Sequence, residues 1–543
     1  AQVVVVGASD TGLSFLEVLC TCPHLRFCTL TLVSTHGFPT RSSHQDPGFL
    51  STSHAHSSTD LALLPLRSCV TVVTDKMVKI DRKSKRVLVS SGRKVPYDFL
   101  LLCPGLQYQM PSRAGSGSSQ TPPTRRWRHP GPAPSNLFTL NAPQDCDALR
   151  RWLLQNFVER QEDAVVYGNS LDVYTTVGAL LGLGVRGSRI HLVLTPPGNT
   201  GASCFGDRAV DRAVASELER AEVRVHSDFV LTRINDGDHH LDPVTSATFS
   251  RDDSKDLRLL CGLFINLSNR GVDYDAFRAV STSFLTFDSR IVIDAQFGTN
   301  DPAIFAAGPA TKFCRRYHTD EWEHGSFNSK EVGRNLADRI LGIIDPTWEL
   351  DHRPPADQRL VPLYREAKIQ GGTLPGGHHY LHFRKPSPSE PPAWTAPQVG
   401  PPSEERVMVT GGVETGNYFC LHLDIHQQVE TLTCFSLKPF PVSNYLSLYG
   451  KHQQLLGRLL TRYHQNQVQD LYSFFTHSSC LPVFHDRFSD LQQELQQMNA
   501  DKVQEAGSQQ QLGDDDDALR RRAVKYLKYN RNLLPMFACR PQL

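Results

Sequence analysis

The chain has no strong excess of either charge, no membrane-length apolar run and no paired cysteines, and each absence excludes a class. Its 57 basic and 56 acidic residues give a formal net charge of +1, without the clustered basic excess that a nucleic-acid or anionic-membrane footprint needs. No apolar run reaches the ~18 residues of a membrane span. Thirteen cysteines are scattered singly except for Cys20-Thr21-Cys22. With no CxxC pair they read as reduced, mostly buried thiols of an intracellular protein. The starting methionine and a signal peptide are also missing. Because Ala1 opens directly into a strand, the chain is expected to be the C-terminal part of a longer protein.

What is present begins at once. Val3-Val4-Val5-Val6-Gly7-Ala8-Ser9-Asp10-Thr11-Gly12, followed by Leu13 to Leu19, predicts a buried strand, a tight turn and the opening of a helix. The pattern returns at Ala164-Val165-Val166-Tyr167-Gly168-Asn169-Ser170-Leu171-Asp172-Val173, with a helix-like run to Leu183. Both are glycine fingerprints for a dinucleotide, and both are damaged. In such a turn the first glycine makes the bend, the second lets backbone approach the phosphates, and the third permits helix–strand packing. Gly7 and Gly12 keep the bend and the packing, but Ser9 replaces the middle glycine and Asp10 adds a carboxylate where phosphate would sit. In the second copy Gly168 remains, while Ser170 and Val173 replace the other two. The acidic residue that holds the ribose is missing twice. Leu30 to Thr35 offers only hydroxyls, and Ile190 to Pro196 a single threonine.

Strands alternating with helical patterns predict parallel sheets. Residues 1–111 form a first unit that closes on the strand Val95 to Gly105; 112–135, rich in Ser, Gly, Pro and Arg, form a flexible loop. Residues 136–285 form a second unit. Residues 286–345 return to the first, through Ile304-Phe305-Ala306-Ala307-Gly308-Pro309 and a helix from Ser329. Residues 346–405 are a Pro/Gly-rich linker, 406–450 a β-hairpin segment around Tyr418 to Phe435, and 451–543 a helical tail.

This order of parts resembles the pyridine-nucleotide–disulfide flavoproteins over about residues 1–345. The resemblance implies an α/β fold of two interleaved Rossmann-like units, as in flavoprotein reductases, with a small β-hairpin segment and a helical C-terminal tail. It also implies FAD and NAD(P) sites at Gly7, Ser9, Gly12, Gly105, Gly168, Ser170 and Gly308. In working members Leu102-Cys103-Pro104-Gly105 is Ala-Thr-Gly, and Ala307-Gly308-Pro309 is Ala-Gly-Asp, whose aspartate holds the ribityl–phosphate portion of the flavin. Pro309 supplies neither a carboxylate nor an N–H, and the redox cysteine pair is absent. Three missing charge-assisted contacts at about 1.5–3 kcal/mol each weaken flavin by about three to five decades. No catalytic residue and no bound cofactor are therefore expected, with residual FAD or NAD(P) binding left open.

A second resemblance rests on Val3 to Glu17, on Pro362-Leu363-Tyr364-Arg365-Glu366-Ala367-Lys368-Ile369-Gln370-Gly371-Gly372, and on Leu374 to Gly377 with His379 to His382. These segments are similar to a family of cilia- and flagella-associated proteins. That resemblance implies a structural subunit of the axoneme at the radial-spoke base, in the calmodulin- and spoke-associated complex. The implied role is in spoke assembly, sperm flagellum formation and motility. Implied partners are spoke proteins, the doublet microtubule neighbourhood and, through the basic amphipathic stretch 518–537, calmodulin; a helix that caps the chain's own domain is the plainer reading of that stretch. Neither nucleic acid nor membrane is an expected partner. His378, His379 and His382, like His54 and His56, lack a nearby fourth ligand and read as solvated or interface histidines rather than a zinc site. Two rivals to the scaffold stay open: a divergent NAD(P)H–flavin oxidoreductase, and a nucleotide-responsive module without chemistry.

Overall fold

Val3–Val6, four β-branched residues buried on both faces, form the central strand of a parallel sheet in the computed structural model of the chain. It describes residues 1–22, 25, 27, 29–39, 48–56, 63–111, 133–196, 203–237, 242–251, 256–319, 322–345, 361–386, 406–475, 494–498 and 514–529. The sheet runs Ile304–Ala306, Phe99–Leu102, Val3–Val6, Leu30–Ser34, Val70–Thr74, with every pair parallel. Helix Asp10–Thr21 leaves its centre and packs against helix Ser329–Ile344. Their backbones are so close that a Cβ on Gly333 would fall 2.6 Å from the Thr11 carbonyl oxygen.

A second parallel sheet runs Arg224–His226, Ile190–Leu194, Ala164–Gly168, Leu263–Leu267, Leu137–Phe138. Helix Leu171–Gly182 leaves its central strand, and helix Arg208–Arg220 follows, capped by the Asp207 side chain on the Ala209 N–H. The units are interleaved: the chain leaves the first sheet after Phe99–Leu102, builds the second, then returns with Ile304–Ala306. A three-stranded antiparallel sheet, Met77–Asp81, Arg86–Val89 and Lys94–Pro96, carries helix Tyr274–Thr282 against its first strand.

The C-terminal third differs from its sequence reading. Residues 368–384, assigned above to the linker, form strands Lys368–Leu374 and His378–Arg384. They join Val429–Ser436, Asn417–Leu423 and Val407–Thr410 in a five-stranded antiparallel sheet, so the expected hairpin is two strands of a larger body. The glycines that suggested a linker are there for close approach: a Cβ on Gly372 would stand 2.7 Å from Thr175 Cγ2 on helix Leu171–Gly182. The C-terminal region is helical as expected, and its short helices Val442–Leu446, Leu459–His464 and Leu471–Phe474 close this body. Tyr445, Leu448, Leu459, Leu471 and Phe475 bury against Phe383, Phe419 and Leu432.

The final helix, Asp514–Tyr529, lies on helices Asp10–Thr21 and Leu63–Cys69, with Ala523 buried and Arg520 Nε donating to Ser68 Oγ at 2.7 Å. The first half of the proposed calmodulin stretch therefore rests on this chain itself; residues 530–537 lie outside the described residues, as do 112–132 of the expected loop. Among the described residues no helix is long and apolar enough to cross a membrane.

Candidate functional site

The first turn keeps its glycines for backbone reasons. Gly7 has φ +102°, and a Cβ there would lie 2.2 Å from the Cys103 carbonyl oxygen, at the end of the neighbouring strand. Gly168 repeats the arrangement at φ +152°, with the Leu267 carbonyl oxygen 2.3 Å away. Gly12 is fixed by the Gly7 carbonyl, 2.6 Å from its would-be Cβ. Gly105 and Gly308 close on the same helix N-terminus, beside Ser9 and Thr11. Gly7, Gly12, Gly105 and Gly308 thus gather at the first turn, and Gly168 makes the second.

What fills the turns is the chain itself. Ser9 caps helix Asp10–Thr21: its Oγ accepts from the Gly12 N–H at 3.3 Å and donates to the Cys103 carbonyl at 2.8 Å. Asp10, in the first turn, places its carboxylate at the positive end of the helix dipole and accepts a 2.5 Å hydrogen bond from Ser53 Oγ. In the second unit Asp172, also in the first turn, is 2 % exposed. Its carboxylate accepts from the Ser51 N–H at 2.8 Å, from Ser51 Oγ, from Tyr108 O–H at 2.6 Å and from the Arg270 guanidinium. Arg270 also lies over the Tyr108 ring, 4.4 Å from its centroid. Ser170 caps nothing with its side chain; its Oγ is 2.8 Å from Tyr108 Oη.

One segment, residues 48–56, makes most of these contacts. Besides Ser51 and Ser53, the Phe49 carbonyl accepts from Thr175 and Thr176 on the second helix at 2.7 and 2.9 Å. Thr52 pairs with Gly371 through two backbone hydrogen bonds of 2.8 and 2.9 Å. His56 Nε2 meets Ser14 Oγ of the first helix at 2.9 Å. The segment therefore spans both helix N-termini and the first strand of the C-terminal sheet. Beside it, Lys368 has its pKa lowered by burial, against the opposing pull of Asp10. Ser51, Ser53, Tyr108, Arg270 and Lys368 were invisible as site residues in the sequence, since their partners lie up to 121 positions away.

The phosphates of a dinucleotide would meet acidic side chains at both turns. Each helix N-terminus that would receive a phosphate already holds a carboxylate, and a second anion within ~4 Å meets repulsion of about 1–4 kcal/mol at surface-like dielectric. Burial pushes the Cys103 thiol up to about 12, and Cys20 and Cys22 are free and buried. Two buried atoms at the first turn, His56 Nδ1 and Gln107 Oε1, have no hydrogen-bond partner among the described residues. A cavity of about 450 Å³ lies elsewhere, under helix Arg208–Arg220, lined by Tyr174, Leu194, Phe205, Asp211, Val214 and Leu218.

The histidines differ in part from their sequence reading. His378 is buried, stacked on Phe435 at 4.2 Å, and His382 is buried with Nδ1 3.0 Å from Thr433 Oγ1; neither is solvated. His54 lies against Gly371, in the segment described above. Among the described residues no group of three or more His, Cys, Asp or Glu is placed to hold a metal.

Residues 1–324 match the pyridine nucleotide-disulphide oxidoreductase family, and residues 362–483 match the CFAP61 dimerisation domain. The chain is 20% identical to cilia- and flagella-associated protein 61 of Tetrahymena thermophila over 93% of its own length. It spans only 36% of that relative. Among solved structures, the ferredoxin reductase for the CYP199A2 system of Rhodopseudomonas palustris shares 16% identity at a TM-score of 0.53, over 80% of this chain and 91% of that one. The covalent putidaredoxin reductase–putidaredoxin complex shares 18% at 0.49, over 80% and 89%. Identities this low speak to fold alone.

Proposed function

We propose a function from the premise that the chain belongs to the pyridine nucleotide-disulphide oxidoreductase family: here the fold serves as a scaffold and not as a catalyst. The observation that carries this reading is the pair of carboxylates, Asp10 and Asp172, each at a helix N-terminus and each hydrogen-bonded to residues 48–56. The similarity to cilia- and flagella-associated protein 61 supports a place in the cilium or flagellum. Within it, the proposed role is that of a structural axonemal subunit at the radial-spoke base, in the calmodulin- and spoke-associated complex, needed for spoke assembly, sperm flagellum formation and motility. Residues 362–483 are the proposed self-association region, where Ile425, Leu437 and Leu455 stand exposed.

The test is an absorbance scan over the flavin bands of natively purified protein, with mass spectrometry of the heat-released supernatant and an NAD(P)H oxidation assay. No flavin and no turnover are expected. Stoichiometric flavin with turnover would overturn the scaffold reading. A second reading, a nucleotide-responsive module without chemistry, is favoured by the partnerless His56 Nδ1 and Gln107 Oε1 at the first turn. It requires that FAD or ADP-ribose raise the melting temperature with no product formed.

A further inference from the structure

The near-zero net charge of the chain conceals a local excess. Residues 76–96 hold eight basic residues and one acidic residue, a balance of +7 inside a chain of +1. This corrects the expectation, drawn from whole-chain composition, that no clustered basic excess exists. The segment is the antiparallel sheet Met77–Asp81, Arg86–Val89, Lys94–Pro96, and its strand register sorts the charges. Ile80, Val87 and Val95 pair across the strands and are buried toward helix Tyr274–Thr282. The alternate rows, Lys79–Leu88–Lys94 and Asp81–Arg86–Pro96, therefore face outward. Lys83 and Lys85 stand in one turn and Arg93 in the other.

Lys79, Lys83, Lys85, Arg86, Arg93 and Lys94 are all exposed, and none forms an ion pair among the described residues. The two other cations are engaged: Lys76 pairs with Asp273 and Asp275, and Arg82 with Asp301. Asp81 does not neutralise the face, because its carboxylate is taken by the Lys83 and Ser84 N–H groups and by Ser84 Oγ. Six unpaired cations on a three-stranded sheet repel one another and are retained at a cost in stability.

A second observation lies at the end of this sheet. Phe284 is 83% exposed and has φ +59°, a conformation that glycine adopts freely and a bulky side chain does not. Its carbonyl accepts from Arg82 Nη1 at 3.5 Å and Asn300 Nδ2 at 2.9 Å, which sets the backbone of residue 284 beside the basic turn. Tyr274 and Phe277, three apart on helix Tyr274–Thr282, are also more than a third exposed. A strained backbone that holds an aromatic ring in solvent marks an interaction site better than either feature alone.

We propose that this basic sheet, with Phe284 at its edge, is the docking surface for an acidic polypeptide segment of a neighbouring protein. Complementary charge fixes the sign of the partner, and Phe284 gives it an apolar anchor. The rest of the chain, 49 basic against 55 acidic residues and so a net −6, favours a short acidic segment over nucleic acid, which draws on a basic field across a whole domain. This proposal stands whether or not the folded units bind a nucleotide.

The probe is fluorescein-labelled octaglutamate followed by leucine, read by anisotropy against the full chain at 50 and 300 mM NaCl. Binding is expected at low salt and should weaken about tenfold or more at high salt. The K83E/K85E/R86E variant changes only exposed side chains; it should keep the wild-type melting temperature and bind the peptide at least about tenfold more weakly. Phe284→Gly separates stability from binding: it should melt at or above wild type, because glycine relieves the strained φ, yet bind about threefold or more weakly. Absence of peptide binding at 50 mM NaCl sinks the proposal, and so does equal binding by the charge-reversed variant. Oligo-dT of equal charge, or phosphatidylserine vesicles, bound as tightly as the peptide would also overturn the assignment to a polypeptide.

Discussion

Replacing Asp172 with alanine is the sharpest test of a nucleotide turn closed from within. The carboxylate is 2 % exposed and receives Ser51, Tyr108 and Arg270 together. Its loss strands a backbone N–H and half of an ion pair, and leaves the Tyr108 hydroxyl with Ser170 Oγ as its remaining partner. Breaking a buried pair costs about 3–5 kcal/mol. Because the Arg270 side chain is 50% exposed and can turn to water, the lower end applies, about 3 kcal/mol. At about 2–4 °C per kcal/mol for domains of this size, the melting temperature should fall by about 6–12 °C. Asp172→Asn, which keeps one acceptor oxygen, should lose roughly half of that. Amide hydrogen exchange should rise in residues 48–56 and in Lys368–Leu374, which Thr52 ties to that segment. Inorganic pyrophosphate, offered the vacated helix N-terminus, should restore part of the melting temperature in Asp172→Ala and do nothing for wild type. A variant that melts within 2 °C of wild type, with unchanged exchange, would refute the reasoning.

Three further outcomes follow from the same geometry. Gly7→Val and Gly168→Val meet backbone carbonyls at 2.2 and 2.3 Å; each should cost more than about 4 kcal/mol and appear as insoluble protein, whereas Gly92→Ala, with open space around it, should cost about 1 kcal/mol for its positive φ alone. Burial holds His56 at about 3 and His324 and His382 at about 4. The unfolded chain binds those protons near pH 6.5 and the folded chain does not, so this stability is present above pH 6.5 and is lost as pH falls toward 4. Melting curves from pH 7.5 to 5 should show it at about 2 kcal/mol per histidine by pH 5, and a flat profile would contradict the burial argument. Size-exclusion chromatography with light scattering should give twice the 60.7 kDa chain mass, and Leu437→Glu should shift it toward the monomer; a wild-type monomer would refute self-association through residues 362–483.

The parts of the fold legible in the sequence were those whose cause is local. Val3–Val6 and Ala164–Gly168 are unbroken apolar runs ending in glycine, and period and turn chemistry identify them without their neighbours. Ser9, Asp10 and Ser170 could be placed at the turns for the same reason. The closing segment was hidden because nothing local marks it: Ser51 and Ser53 are ordinary loop residues until Asp172 and Asp10 arrive from elsewhere in the chain. The strands at 368–384 were masked by Gly371, Gly372, Gly376 and Gly377, which suggest a linker. Only the position of Thr175 explains why the strand tolerates no side chain at Gly372. His378 and His382 were misplaced because an imidazole stacked on Phe435 or bonded to Thr433 has the same sequence signature as one in water.

The position of Ile304–Ala306 at the outer edge of the first sheet has a consequence for synthesis. Until the ribosome has delivered residue 306, Phe99–Leu102 has an exposed strand edge, and some two hundred intervening residues must fold or wait before it is covered. The first unit therefore cannot finish in the order in which it is translated. A premature stop anywhere between the two sheets leaves an open parallel edge, a template for aggregation, and so a demand on chaperones that a tandem arrangement of the same two units would not make.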